Sequence, residues 1–169
     1  ERGLIGAYHF VQHCPVPVEK ISANLNLDMI SRNDPDMIYL IGSNKLSTEL
    51  DDAIHAANAR SVRLKLDYTY ESPQHPDRFF FRSDQLPYIR YGIPGVWFFC
   101  GTTPDYHQPT DTLERCDFGK MEKVTKLVYL TTLDIGNRPD LLPLDVNPAV
   151  TRRGPENMGY DWRKAEAAK

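Results

Sequence analysis

Residues 95–100, GVWFFC, carry no polar side chain. A strand with one face in water alternates apolar and polar residues. An unbroken apolar run that follows Gly92 and Pro94 and holds three aromatics reads instead as a strand buried on both faces. Such strands occur in sheets whose two faces are both covered by helices. Val96, Phe98 and Cys100 are therefore expected on one side of a sheet, and Trp97 and Phe99 on the other.

The flanking sequence supplies the helices. An apolar, helix-like run through Leu4, Ile5, Ala7, Phe10 and Val11 is terminated by Pro15 and Pro17. Residues 20–30 read as a strand, and residues 36–41 as a second one after a turn at residues 33–35. Residues 46–59 have helical spacing, with Ser47 or Thr48 as cap. Residues 63–68 suit a short strand, residues 85–91 a helix, and residues 118–135 a long helix capped by Asp117. Strands alternating with helices predict an α/β fold. The expected architecture is a three-layer α/β/α sandwich around a mostly parallel, mixed sheet.

At 169 residues, 41% hydrophobic and 25% charged, the chain is long enough to bury roughly two thirds of its unfolded surface in one core. Its formal charge of −3 gives no basic footprint for nucleic acid or for an anionic membrane surface. No apolar run reaches the ~18 residues of a membrane span. The three cysteines, Cys14, Cys100 and Cys116, form no C-x-x-C pair. A Cys100–Cys116 bridge and separate core thiols both remain open. The opening ERGLIGAYHF reads like the interior of a domain, with no initiator methionine or signal peptide, so the chain is expected to be one part of a longer protein.

Two stretches carry chemistry. In NLNLDMI, residues 24–30, Asn24, Asn26 and Asp28 fall on one face of an extended segment. An ionised carboxylate buried there needs a cation or a proton. Asp28 is either a turn residue or a ligand. In TPDYHQPTDT, residues 103–112, His107 sits in the loop that leaves the apolar strand, with Tyr106 before it and Asp111 four residues on. Loops at the carboxyl ends of central strands are where open α/β sheets place ligands. Asp111 either caps the next turn or orients His107. Glu1, Asp28 and His107 together are an oxygen and nitrogen donor set that suits zinc.

ERGLIGA, ISANLNLDMISRNDPD, RSD, YGIPGVWFF and DYHQPTDTLERCDFGKMEKV, in that order, resemble the C-terminal half of the catalytic domain of co-catalytic di-zinc aminopeptidases, the metallopeptidase family of bacterial leucyl aminopeptidases and glutamate carboxypeptidase. The likeness runs from residue 1 to about residue 138. It implies a zinc-dependent exopeptidase that hydrolyses N-terminal peptide bonds of a peptide substrate with metal-activated water, using two zinc ions. By this resemblance Glu1 and His107 are ligands of one ion and Asp28 of the other. The general base, a glutamate just before Glu1, the aspartate that bridges the two ions and a further histidine ligand belong to a missing N-terminal half. The chain alone is accordingly expected to be inactive and to hold metal poorly.

RSD implies that Arg82 and Asp84 approach the active face, although a salt bridge or helix cap serves equally for them. Phe80 and Phe81, in FFFRSDQ, are candidates for a substrate pocket or for the core. Here Phe79–Phe81 replace a tyrosine common in the family, and Gln85 replaces a histidine. A single-zinc acyltransferase of the glutaminyl cyclase type and a non-catalytic binding relative are the alternatives. Family habit implies a periplasmic or extracellular location. Residues 139–169 lie outside the resemblance and are expected to be an extension or tail.

Overall fold

The structure is a computed structural model, and it describes residues 3–164. Glu1 therefore lies outside the described residues. The sheet has the order β1 (Asn24–Leu27), β4 (Gly95–Phe99), β2 (Met37–Ile41), β3 (Lys65–Asp67). β1 runs parallel to β4 and β2 parallel to β3, while β2 and β4 are antiparallel. All five residues of β4 are buried, as its unbroken apolar sequence requires.

The alternation of β4 sorts two cores. Val96, Phe98 and Cys100 pack with Ile38, Leu40 and Ile54 under α2 (Thr48–Ala59) and α4 (Phe118–Gly136). Trp97 and Phe99 pack on the other side with Ile41, Phe79, Phe80 and Ile89, the last from α3 (Gln85–Arg90). The first helix, α1 (Ile5–Gln12), buries Val11 against Tyr91 and Ile93. Helices thus cover both faces of a mixed sheet. Asp117 caps α4 as expected, accepting from Lys120 N at 2.9 Å. All three cysteines are free thiols.

Two expectations need correction. The strand read over residues 20–30 shrinks to Asn24–Leu27, because Val18–Lys20 is a 3-10 turn and Met29 takes a positive φ of 59° that no strand continues. Ser47 does not cap α2 with its side chain. Asp145 does so from 97 residues away, accepting from Thr48 N at 2.9 Å. Residues 139–164, read as an extension or tail, pack on the domain, with Leu142, Val150 and Trp162 buried in the two cores.

One buried acid makes stability depend on pH. Glu71 is 5% exposed, and burial, reinforced by nearby Asp51 against the pull of Lys45 and Asn44, pushes its carboxyl up to about 7. A folded pKa above the unfolded value of 4.5 means that the native state binds the extra proton. The stability this gives is complete below pH 4.5 and is lost as pH rises through about 7. Glu71→Gln is neutral at every pH. By urea unfolding the variant is expected to match the parent chain near pH 4 and to exceed it at pH 8 by as much as about 3 kcal/mol.

Candidate functional site

Because β1 and β4 are parallel and adjacent, their carboxyl ends open on the same edge of the sheet. Asp28 follows β1 directly, and the loop that carries His107 follows β4. The crevice outside such strand ends is the usual ligand position in open α/β sheets. Asp28, Arg82, Ser83, Asp84, Tyr106 and His107 line one cleft there, of about 430 Å³, with Leu4 at its wall. Five of the residues singled out from the sequence thus meet, although they span 79 positions from Asp28 to His107.

Asp28 is held by its surroundings. Ser83 Oγ donates to Asp28 Oδ2 at 2.6 Å, and Asn26 Nδ2 donates to Ser83 Oγ at 2.8 Å. Trp97, buried on β4, sends its Nε1–H to the Asp28 carbonyl at 2.8 Å. Both backbone and carboxylate are fixed, yet the residue is exposed. The expectation of a buried charge is corrected: the carboxylate faces the cleft at a strand end and escapes the desolvation cost. It is a pre-oriented acceptor, open to a cation.

His107 sits in a chain of turns in which Tyr106 N, Gln108 N and Asp111 N donate to Thr103 O, Asp105 O and Gln108 O. Its φ is +57°, a conformation that non-glycine residues seldom hold and that clusters at functional sites. The ring stacks on Tyr106 with centroids 3.8 Å apart and is exposed toward the cleft.

The loop is anchored by residues that the sequence did not flag. Arg32, in the turn after Asp28, is paired with Asp105, and its Nη1 donates to Asp111 Oδ1 at 2.8 Å. Arg115 Nη1 reaches Asp105 at 2.9 Å. The Thr110 hydroxyl, Arg32 and Arg115 hold the Asp105 carboxyl below its usual range. Asn33 Nδ2 donates to Cys100 O and Thr102 O, bracketing Gly101, whose φ of +89° suits glycine at this turn. Lys120, wholly buried, donates to Arg32 O at 2.6 Å, and burial lowers its pKa. The Asp28 turn and the His107 loop are therefore braced against each other. No local pattern announces this, since Arg32 and Asp105 stand 73 residues apart.

Asp111, for which both capping the next turn and orienting His107 were open, has its carboxylate turned to Arg32. Arg82 keeps its place at the cleft, its guanidinium 4.8 Å over the Phe79 ring. Asp84 stands at the start of α3 without capping it. Of the two roles open to Phe80, pocket or core, its side chain takes the core, wholly buried and 5.7 Å from the Trp162 ring. Phe81 stacks edge-on against Phe80 and lines a different cleft. Gln85, where the resemblance implies histidine, is buried and donates to Phe80 O at 3.1 Å. Ser83 was the residue missed in RSD. Its signal was its place between two flagged neighbours.

Among the described residues, no group of three or more His, Cys, Asp and Glu converges closely enough to hold a metal ion. Asp28 and His107 line the cleft without a third such residue close by.

The model of Peptidase family M28 matches residues 1–132. No curated protein matches the chain. Among solved structures, the LapA aminopeptidase of Legionella pneumophila is similar at 17% identity and a TM-score of 0.67, over 81% of this chain and 37% of that one. BSAP, a zinc aminopeptidase from Bacillus subtilis, shares 21% identity at a TM-score of 0.64, over 78% of this chain and 32% of that one. An aminopeptidase from Aneurinibacillus sp. strain AM-1 shares 24% identity at a TM-score of 0.64, over 85% and 32%. At these identities the likeness is one of fold. The chain spans about a third of the length of the structures it matches.

Proposed function

The chain belongs to peptidase family M28, and on that basis we propose that it forms part of a zinc-dependent exopeptidase of the aminopeptidase type. The observation that carries this reading is the meeting of Asp28 and His107 on one cleft at the carboxyl ends of two parallel strands. The zinc aminopeptidase of Bacillus subtilis shares the fold, which supports zinc as the metal.

The donor types fit that metal: a carboxylate open to a cation and an exposed imidazole are both ordinary zinc ligands. In this reading Asp28 and His107 serve different ions of a two-zinc centre, and Glu1 joins His107. The remaining donors and the general base come from sequence beyond these 169 residues. Zinc, when bound, supplies a Lewis acid that polarises a carbonyl and makes water acidic. The chain's own residues do the positioning. Ser83 fixes which Asp28 oxygen is free, the Arg32–Asp105–Arg115 cluster holds the His107 loop in place, and Arg82 brings a cation to the cleft wall that can take a substrate oxygen. Peptide substrates follow from the family.

The test is metal removal from the longer parent enzyme. Chelation is expected to abolish hydrolysis of an aminoacyl-nitroanilide, and added zinc to restore it. Full activity in metal-free enzyme would overturn the proposal. The isolated 169-residue chain, with its partial donor set, is expected to show no turnover under the same conditions.

A further inference from the structure

A second cleft, of about 420 Å³, opens between the 3-10 turn Phe79–Phe81, the end of α3 and residues 158–163. None of its lining residues lines the Asp28 and His107 cleft, and one wall comes from sequence beyond the family match of residues 1–132. It is independent of the zinc reading.

The polar groups on this cleft are mostly donors. Arg78, Arg90 and Arg163 bring three guanidiniums to it against one carboxylate, Asp161, which Arg163 Nε already engages at 2.9 Å. Arg90 is tethered through Nη1 to the Tyr8 hydroxyl at 2.8 Å. Its Nε–H is nevertheless buried with no acceptor among the described residues, and so is the Nε1–H of Trp162. Trp162 is only 2% exposed. Buried donors nearly always find an acceptor; these two lie beneath the cleft, and the donors open to a ligand are the guanidiniums of the arginines that line it. Arg78 adds backbone strain, with φ at +55°, and its guanidinium lies 5.5 Å over the Phe81 ring. Phe81 and Met158 give the cleft an apolar wall. A guanidinium fork matches a carboxylate in geometry and charge.

We propose that this cleft binds a small organic carboxylate, its carboxyl group toward the Arg78 and Arg90 guanidiniums beside Trp162 and its apolar body against Phe81 and Met158. The test is a titration of the ¹⁵N-labelled 169-residue chain with 3-phenylpropionate, followed on the two tryptophan indole resonances. Trp97 Nε1–H is bonded to Asp28 O and serves as the internal control. The Trp162 resonance is expected to move to saturation while that of Trp97 stays. The neutral isostere 3-phenylpropanol and inorganic phosphate should each bind about tenfold more weakly or worse, as loss of the charge or of the apolar body requires. Arg90→Gln should weaken binding about tenfold. Arg78→Asn, at an exposed site and with a residue that tolerates positive φ, should also weaken it, and it carries the test if loss of the Tyr8 bond unfolds the first variant. A Trp162 resonance that does not move overturns the proposal. So does equal binding of phosphate or the alcohol, or wild-type affinity in the Arg78 variant.

Discussion

His107→Ala in the parent enzyme is expected to cut peptide hydrolysis by more than about 100-fold, because loss of a partner merely behind a ligand already costs about 10- to 100-fold. The fold should survive the change. His107 is exposed, its ring touches Tyr106, and the turns that carry it are made by backbone hydrogen bonds and by Arg32, Asp105 and Arg115. An unaltered melting temperature beside lost activity would place the effect in the site. Asp28→Asn is a sharper companion, since an asparagine oxygen can still accept from Ser83 while the charge that would hold a cation is gone. Near-normal hydrolysis by either variant would remove that residue from the ligand set.

Phe98→Ala is expected to destabilise the chain by about 3–5 kcal/mol, the usual loss for a large aromatic deleted from a close-packed core. Phe98 is wholly buried at the centre of the sheet, paired with Leu27 of β1 and Leu40 of β2. It packs beneath α2 and α4 with Leu40, Ile54 and Val124. Collapse around the cavity is limited because strands hold it from both sides. Denaturant unfolding measures the change, and a loss below about 1 kcal/mol would mean that β4 is not the central strand.

The parts of this fold that were legible are those where one local pattern settles the outcome. GVWFFC has no polar side chain to place in water, so its burial and the division of Val96, Phe98 and Cys100 from Trp97 and Phe99 followed directly. Asp117 capped α4 because its acceptor lies three residues from the donor it serves. Where the decisive partner is distant in sequence, local reasoning failed. Ser47 or Thr48 looked like the cap of α2, yet Asp145 takes that role across 97 residues. Asp111 read locally as a turn cap or as a partner for His107, while Arg32, remote in sequence, claims its carboxylate. The strand at residues 20–30 was overlong because apolar and β-branched residues do not announce the left-handed turn at Met29. Phe80 and Phe81 could not be divided between core and pocket without knowing that Trp162 folds back onto Phe80. For the cleft itself, Asp28 and His107 were found through their motifs, while Ser83, Arg32 and Asp105, which hold them, belong to the tertiary structure alone.

The most direct measurement is a zinc titration of the 169-residue chain, followed by NMR of its five histidine rings and of the Asp28 and Ser83 amides. If Asp28 and His107 face a shared metal cleft, the His107 ring and the Asp28 and Ser83 amides should shift together. Affinity should be weak, and the His107→Ala variant should lose the response. The rings of His9, His13, His55 and His75 should stay in place. Shifts centred on the stacked His9 and His13 pair, whose rings lie 4.3 Å apart on and beyond α1, with His107 unmoved at saturation, would contradict the assignment of the cleft as a metal site.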